Sequence, residues 1–179
     1  MTNWKVKKEK STYKSELFEI KQTTFQNPQG EIKTHDNIYR RPSVFIFPIA
    51  SNGDIYLISE YRFFFQKQIL DACAGFIEEK ETPLETAKRE LREEMGIKAS
   101  QWEQLGKLEI AASNVKCTFY LFIANDLEIG KQKLDSNEEI EVVKIPIKEA
   151  VRKIYSGEIL VAPTVAGILM LAGLKLNSH

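Results

Sequence analysis

Short hydrophobic segments alternate with polar turns along the first third of the chain. Each segment has the alternation or the β-branched content of a strand, and two turns carry residues that favour tight reversals. The flanking segments, with their turns, are residues 16–25 and 31–39 around Asn27-Pro28-Gln29-Gly30, and residues 43–50 and 55–59 around Ser51-Asn52-Gly53-Asp54. The pattern therefore predicts two β-hairpins.

Strands outnumber helices in the remaining sequence. The predicted strands are residues 69–77 (interrupted by Gly75), 104–111, 118–124 and 140–147, and the predicted helices are residues 83–95, 148–155 and 163–174. Hairpins and helices are mixed rather than regularly alternating, which predicts an α+β fold or a helix–sheet–helix sandwich instead of a doubly wound parallel sheet.

Residues 159–174 form an apolar run without a charged side chain. The run is shorter than the ~20 residues needed to span a bilayer, and it contains Pro163, Gly167 and Gly173. We therefore expect a buried helix, in the core or at a dimer interface, and no membrane association.

The best-defined helix is predicted at residues 83–95. Thr82 suits the N-cap, Pro83 the first helical position, and Glu85 completes a capping box. Gly96 supplies the stop signal. The apolar stripe expected to face the core consists of Leu84, Ala87, Leu91 and Met95.

Three carboxylates crowd this helix. Glu90, Glu93 and Glu94 stand at spacings i, i+3 and i+4, so their charges repel one another. A divalent cation would reverse this effect, because Mg²⁺ prefers oxygen ligands and commonly takes carboxylates together with substrate phosphates. The alternative is a solvated face with ordinary i,i+4 ion pairs, such as Glu94 with Lys98, and the three glutamates alone favour it.

The wider sequence favours the metal site. From Gly75 it reads GFIEEKETPLETAKRELREEMGI. This segment resembles the Nudix box, with every specified position filled, and a chance match is on the order of one in a million. The resemblance implies a Nudix-type α/β/α sandwich with a mixed sheet, and a hydrolase that cuts pyrophosphate bonds with a divalent metal.

The resemblance also assigns roles to residues. Glu90, Glu93 and Glu94 are expected to bind the metal, and the ADP-ribose branch of the family adds the carbonyl of the residue before the box glycine, here Ala74. The residues with structural roles in the box are Gly75, Glu81, Arg89 and Gly96. Glu81 and Arg89 are expected to form a salt bridge.

Similarity to the ADP-ribose and nucleoside-diphosphate-sugar branch extends beyond the box. Residues 58–62 (ISEYR) resemble a strand that ends in QYR, and residues 69–75 (ILDACAG) resemble its ELPAG approach to the box. Arg62 is thus a candidate for binding a substrate phosphate; the alternative is a solvated arginine at a strand edge.

In this branch, the N-terminal strands often cross to a partner subunit, and an aromatic residue from them can stack on the base of the substrate. Phe18 is the candidate for that contact, with simple packing between strands as the alternative.

Three departures from the branch concern the substrate and the general base. Residues 111–114 (AASN) replace a Ser-Pro-Gly-like loop, and Asp71 replaces a glutamate. One alignment places Ser136 where some relatives hold a catalytic glutamate. The candidates for the proton acceptor are Glu138 or Glu139 in the acidic loop, of which Glu138 is preferred, and Glu93 on the helix.

Composition limits the partners. Lys plus Arg and Asp plus Glu both number 25, so no basic excess is available for a nucleic-acid polymer, and a free nucleotide fits better. Cys73 and Cys117 look like thiols of a reducing compartment, and residues 1–10 lack the apolar core of a signal peptide, which favours the cytoplasm. We expect an N-terminal β extension at residues 1–40 that contributes to a homodimer, followed by the hydrolase domain at residues 41–179.

The expected reaction is hydrolysis of a nucleoside diphosphate linked to a small group. ADP-ribose is the leading substrate, with AMP and ribose 5-phosphate as products and Mg²⁺ as the cofactor, Mn²⁺ being the alternative ion. The competing hypotheses are another substrate, namely a GDP-sugar or other nucleotide sugar, NADH or a nucleoside triphosphate, and a module that binds ADP-ribose without turnover. The complete set of box glutamates argues against the last.

Overall fold

The computed structural model describes residues 4–134 and 139–176. The strands are β1 (Lys5–Lys14), β2 (Phe18–Gln26), β3 (Ile32–Arg40), β4 (Ser43–Pro48), β5 (Asp54–Arg62), β6 (Lys67–Asp71), β7 (Cys73–Phe76), β8 (Ile97–Ala111), β9 (Val115–Ile129) and β10 (Ile140–Pro146). The helices are α1 (Pro83–Met95), α2 (Ile147–Tyr155) and α3 (Ala162–Leu176), and a 3-10 turn, Phe63–Phe65, follows β5.

The chain forms two compact units. One runs to Pro42 and includes Glu109–Thr118, which is the tip of the β8–β9 hairpin. The other comprises Ser43–Leu108 and the residues from Phe119 onward.

The first unit is built on antiparallel strands. The predicted hairpin of β2 and β3 is confirmed, with pairing from Phe18↔Arg40 to Gln26↔Ile32. β1 adds to β2 and was not predicted. All of its residues are exposed, so its sequence lacks the apolar alternation that would have marked a strand.

The second unit contains a mixed sheet and a smaller antiparallel sheet. β4 lies between β7, which is antiparallel to it, and β9, which is parallel, while β8 pairs with β9. The smaller sheet has the order β10-β5-β6. The predicted α+β class is therefore confirmed.

The second predicted hairpin was wrong. Its turn forms, since the Gly53 N–H donates to the Ala50 carbonyl at 2.8 Å and Gly53 has φ of 84°. However, pairing among the described residues stops at the bridge Ile49↔Ile55 and the bond from the Ala50 amide to the Asp54 carbonyl, and β4 and β5 enter different sheets. Every residue of β4 is buried, so this strand needs a partner along both edges, and β7 and β9 provide them.

The single strand predicted at residues 69–77 is also divided in two. β6 ends at Asp71 and β7 begins at Cys73, and the two strands belong to different sheets. A continuous apolar run does not reveal such a crossing, because both strands are buried on at least one face.

β4 is covered by helices on both faces. Val44 and Ile46 share a buried cluster with Leu91 of α1. On the opposite face, Phe47 packs so closely on α3 that a Cβ at Gly167 would lie 2.1 Å from its ring. The second unit is therefore an α/β/α sandwich, as predicted. Within the described residues, none of the helices combines the length and apolarity that a membrane span requires.

Candidate active site

The helix that carries the acidic cluster is fixed at both ends. The capping box is confirmed: the Glu85 carboxylate accepts from the Thr82 amide at 2.8 Å, and the Glu85 amide donates to the Thr82 hydroxyl at 3.3 Å. Gly96 ends α1 with φ of 66°, and a Cβ there would lie 2.5 Å from the Lys131 backbone. A glycine is thus required by conformation and by space.

Glu90 lies directly against the strand that precedes the helix. A Cβ at Gly75 of β7 would lie 1.8 Å from Glu90 Oε1. The missing side chain at Gly75 therefore leaves a cradle on the strand that the Glu90 carboxylate fills, and only 14% of the Glu90 side chain is exposed.

Glu94 reaches the same segment of β7 from one turn further along α1. Its Oε2 accepts a hydrogen bond from the Ala74 amide at 3.2 Å, and the residue is buried. Burial, together with the negative charges of Glu94 and Glu90, raises the pKa of the Cys73 thiol. Two carboxylates therefore converge on residues 73–75.

Arg89 organises the outer side of the cluster. Its Nε and Nη2 donate to the two carboxylate oxygens of Glu81 at 2.8 and 3.0 Å, and Nη1 donates to Glu90 at 2.7 Å and to Glu93 at 3.3 Å. The bonds from Arg89, assisted by Thr86, lower the pKa of Glu81 to about 2. The expected salt bridge of Glu81 with Arg89 is therefore present. The same guanidinium contacts Glu90 and Glu93, and its positive charge offsets part of the repulsion between these two carboxylates.

The donor set suits a hard divalent cation. Glu90 and Glu94 present carboxylate oxygens beside the Ala74–Gly75 backbone, and such oxygens are the ligands that Mg²⁺ prefers. Among the described residues, no three acidic, histidine or cysteine side chains already converge as a metal site. Glu90 and Glu93 instead contact the Arg89 guanidinium, at 2.7 and 3.3 Å.

The segment that leads toward the acidic loop is bonded to the end of α1. The Gly130 amide donates to the Gly96 carbonyl at 2.7 Å, and the Lys133 amide donates to the Glu93 carbonyl at 2.9 Å. Gln132 Nε2 donates to the Glu94 carbonyl at 2.6 Å. These bonds satisfy helix carbonyls that otherwise lack partners. Glu138, the predicted proton acceptor, lies outside the described residues, as does Ser136.

Arg62 lies between two carboxylates. Its Nη1 and Nη2 contact Glu60 at 3.1 and 3.0 Å, and Nη2 lies 3.7 Å from Asp71 Oδ2. Asp71 itself is buried and accepts a hydrogen bond from the hydroxyl of Thr164 on α3. Burial raises the pKa of Asp71, while the bond from Thr164 and the charge of Arg62 oppose this effect. Thr164 was not among the residues predicted for the site, because it is 93 positions away from Asp71 in the chain.

The remaining candidates lie in the first unit. Phe18 is half-buried and stacks on Tyr13 of β1, with ring centroids 5.4 Å apart. The loop at residues 111–114 lines a cavity of about 510 Å³ together with Asn37, Tyr39 and Lys116. The ammonium of Lys116 lies 5.9 Å from the centroid of the Tyr39 ring.

Comparison with known proteins agrees with this geometry. The family model described as "NUDIX domain" matches residues 39–162, which is most of the chain. The protein belongs to the Nudix family. Its acidic helix is therefore the Nudix helix, and the protein is a Nudix pyrophosphohydrolase.

Several relatives indicate the branch of the family. The ADP-ribose pyrophosphatase of Mycobacterium tuberculosis (strain ATCC 25618 / H37Rv) is 30% identical over 86% of this chain and 75% of its own length. The ADP-ribose pyrophosphatase of Bacillus subtilis (strain 168) is 25% identical over 79% of this chain and 77% of its own. The crystal structure of an ADP compounds hydrolase superimposes with a TM-score of 0.85, covering 98% of this chain and 95% of that one at 23% identity, which confirms the Nudix fold. The resemblance to the ADP-ribose pyrophosphatases is thus confirmed.

Proposed function

We propose that this Nudix hydrolase is a Mg²⁺-dependent ADP-ribose pyrophosphatase that releases AMP and ribose 5-phosphate. The observation that carries the proposal is the convergence of Glu90 and Glu94 on the Ala74–Gly75 backbone. Relatives at 25–30% identity that bear the name ADP-ribose pyrophosphatase support this substrate.

In the proposed mechanism, Glu90, Glu93, Glu94 and the Ala74 carbonyl are the metal-binding groups. A divalent ion held there would neutralise phosphate oxygens and lower the pKa of the attacking water, with Mn²⁺ as the alternative ion. The residues of the chain supply positioning: Arg89, fixed by Glu81, holds two of the glutamates in place.

The substrate contacts are proposed in the same way. Arg62 grips a phosphate of the diphosphate through paired N–H donors, and Phe18 stacks on the base from the N-terminal strands. Glu138 or Glu93 accepts the proton of the attacking water. Glu93 lies on the Nudix helix, and 34% of its side chain is exposed.

A substrate panel tests the proposal. Purified protein is incubated with ADP-ribose, GDP-mannose, NADH and nucleoside triphosphates, with and without Mg²⁺, and the products are identified. We expect Mg²⁺-dependent turnover with the highest kcat/KM for ADP-ribose. Faster turnover of another panel member would transfer the assignment to that substrate, and absence of turnover from the whole panel would refute an enzymatic role on these compounds.

The variant Glu94→Gln tests the metal assignment. The amide oxygen of glutamine can still accept from the Ala74 amide, so the fold should persist, whereas the charge needed to hold a divalent ion is removed. Since a metal contributes several kcal/mol to such a reaction, we expect a loss of about 100-fold or more in kcat. Unchanged kcat in a folded variant would show that the metal assignment is wrong.

A further inference from the structure

The buried pair of Asp71 and Thr164 lies at the crossing between the two sheets of the second unit. Ala72 stands between β6 and β7, and its amide donates to Asp71 Oδ1 at 2.9 Å and to the Thr164 hydroxyl at 3.1 Å. Both side chains are buried. One carboxylate oxygen of Asp71 is therefore fixed by a strand crossing and a helix at once.

The other oxygen of the same carboxylate lies near Arg62. Asp71 Oδ2 lies 3.7 Å from Arg62 Nη2, and the Arg62 side chain is 40% exposed while that of Asp71 is buried. Glu60 lies within hydrogen-bond distance of two guanidinium nitrogens, whereas Asp71 is an ion-pair partner at 3.7 Å, so the described contacts do not use all five N–H groups of the guanidinium. Arg62 therefore retains donors for a phosphate while its orientation is already set.

The two carboxylates that contact Arg62 differ in how they are held. Asp71 is anchored by Thr164 and the Ala72 amide, whereas Glu60 engages both terminal nitrogens of the guanidinium, the atoms that a phosphate would also use. A phosphate can replace Glu60 on those nitrogens, but it cannot displace the buried Asp71 without leaving an unpaired charge in the core. Glu60 stands where the resembled QYR pattern has glutamine.

We propose that Asp71 is a positioning residue for diphosphate binding, because its buried carboxylate, fixed by Thr164, orients the Arg62 guanidinium, and that Glu60 is the partner that the phosphate displaces. The inference rests on the proposed function in that Arg62 contacts the substrate. It goes further in predicting that Asp71 favours phosphate binding by Arg62, whereas Glu60 competes with it.

A pair of carboxamide variants tests this assignment. Asp71→Asn removes the anchored charge beside Arg62 and should raise KM about ten-fold, since a misoriented Arg62 loses a charge-assisted hydrogen bond to the phosphate, and such a bond typically has this effect on affinity. Glu60→Gln removes the competitor and should lower KM. Both variants are measured on the panel member that the wild-type enzyme hydrolyses best, so an error in the substrate assignment leaves the comparison intact.

A double-mutant cycle separates positioning from stability. If Asp71 acts through Arg62, Asp71→Asn should raise KM far less in an Arg62→Gln background than in the wild type. Thr164→Val should lower the unfolding temperature as Asp71→Asn does, but raise KM less, because the charge beside Arg62 remains. If Asp71→Asn raises KM by the same factor in the Arg62→Gln background as in the wild type, the proposal is overturned. An increase of KM in Glu60→Gln would also overturn it.

A readout that does not depend on turnover completes the test. The ¹⁵Nε–¹Hε resonance of Arg62 should shift in Asp71→Asn more than in Thr164→Val, and an equal shift in both would contradict orientation by Asp71. If Asp71→Asn does not fold, Asp71→Glu replaces it in the cycle. That variant keeps the charge but moves it by one methylene, so KM should rise only while Arg62 is present; a rise that persists in Arg62→Gln would overturn the proposal.

Discussion

At the scale of single residues, the site depends on a missing side chain as much as on charged ones. Gly75 allows the Glu90 carboxylate to lie on β7, where a Cβ would come within 1.8 Å of Glu90 Oε1. The obstructed atoms belong to the far end of a flexible side chain and not to the backbone. A methyl group at this position should therefore displace the carboxylate at little cost to the fold.

We expect Gly75→Ala to lose activity without losing stability. Displacement of Glu90 should reduce kcat by about 100-fold, since it removes one of the proposed metal-binding carboxylates from its position, while the unfolding temperature changes by only a few degrees. Steady-state kinetics with varied Mg²⁺ and a thermal melt provide the two measurements. A variant with wild-type kcat would show that Glu90 is not required where the structure places it.

The ion pair of Glu81 and Arg89 predicts a dependence of stability on pH. Because the bonds from Arg89 lower the pKa of Glu81 to about 2, from an ordinary value of 4.5, the folded state favours the ionised carboxylate. Its contribution to stability is therefore complete above pH 4.5 and is lost as the pH falls toward 2. Glu81→Gln should be less stable than the wild type near pH 6, and the difference should shrink toward pH 2.

Denaturant unfolding at several pH values measures this difference. If the difference in the free energy of unfolding between wild type and Glu81→Gln stays constant from pH 6 to pH 2.5, an ionised Glu81 is excluded as its source. Glutamine retains the length of the side chain, so the comparison isolates the charge.

At the scale of elements, the local signals of the sequence were sufficient for the Nudix helix but not for the sheets. Thr82, Pro83 and Gly96 lie within a turn of the helix ends, and the structure uses them as the capping rules predict. The pairing of β4 depends instead on β7 and β9, which are distant in sequence, so a correct turn at residues 51–54 was mistaken for a hairpin. The contact of Thr164 with Asp71 was missed for the same reason.

Helix α3 offers a matched pair of glycines. A Cβ at Gly167 would lie 2.1 Å from the ring of Phe47, whereas a Cβ at Gly173 meets no atom within 4 Å. We expect Gly167→Ala to lower the free energy of unfolding by about 1–3 kcal/mol through overpacking. Gly173→Ala should raise it by up to about 1 kcal/mol, because alanine favours the helix.

Urea unfolding of both variants tests how closely α3 packs on the sheet. Both substitutions add the same methyl group to the same helix, so differences in helix propensity largely cancel. Equal changes of the two unfolding free energies would contradict the close contact between Phe47 and α3.

At the scale of the whole molecule, the resemblance to the ADP-ribose branch predicts a homodimer. Light scattering coupled to size-exclusion chromatography should then give twice the 20.6 kDa of the chain. Large apolar side chains on the exposed surface, including Val6 of β1 and Leu169 of α3, are candidates for burial in that contact. A mass of one chain across a range of protein concentrations would contradict the dimer, and with it a base contact of Phe18 across subunits.

The bonds between residues 130–133 and the end of α1 have a consequence for engineering substrate choice. The carbonyl groups of Glu93 and Glu94, on the Nudix helix, accept hydrogen bonds from the segment that follows β9. An insertion or deletion inside that segment would therefore alter catalysis even though it touches no catalytic side chain. Libraries that seek new specificity should therefore keep the length of residues 130–133 unchanged.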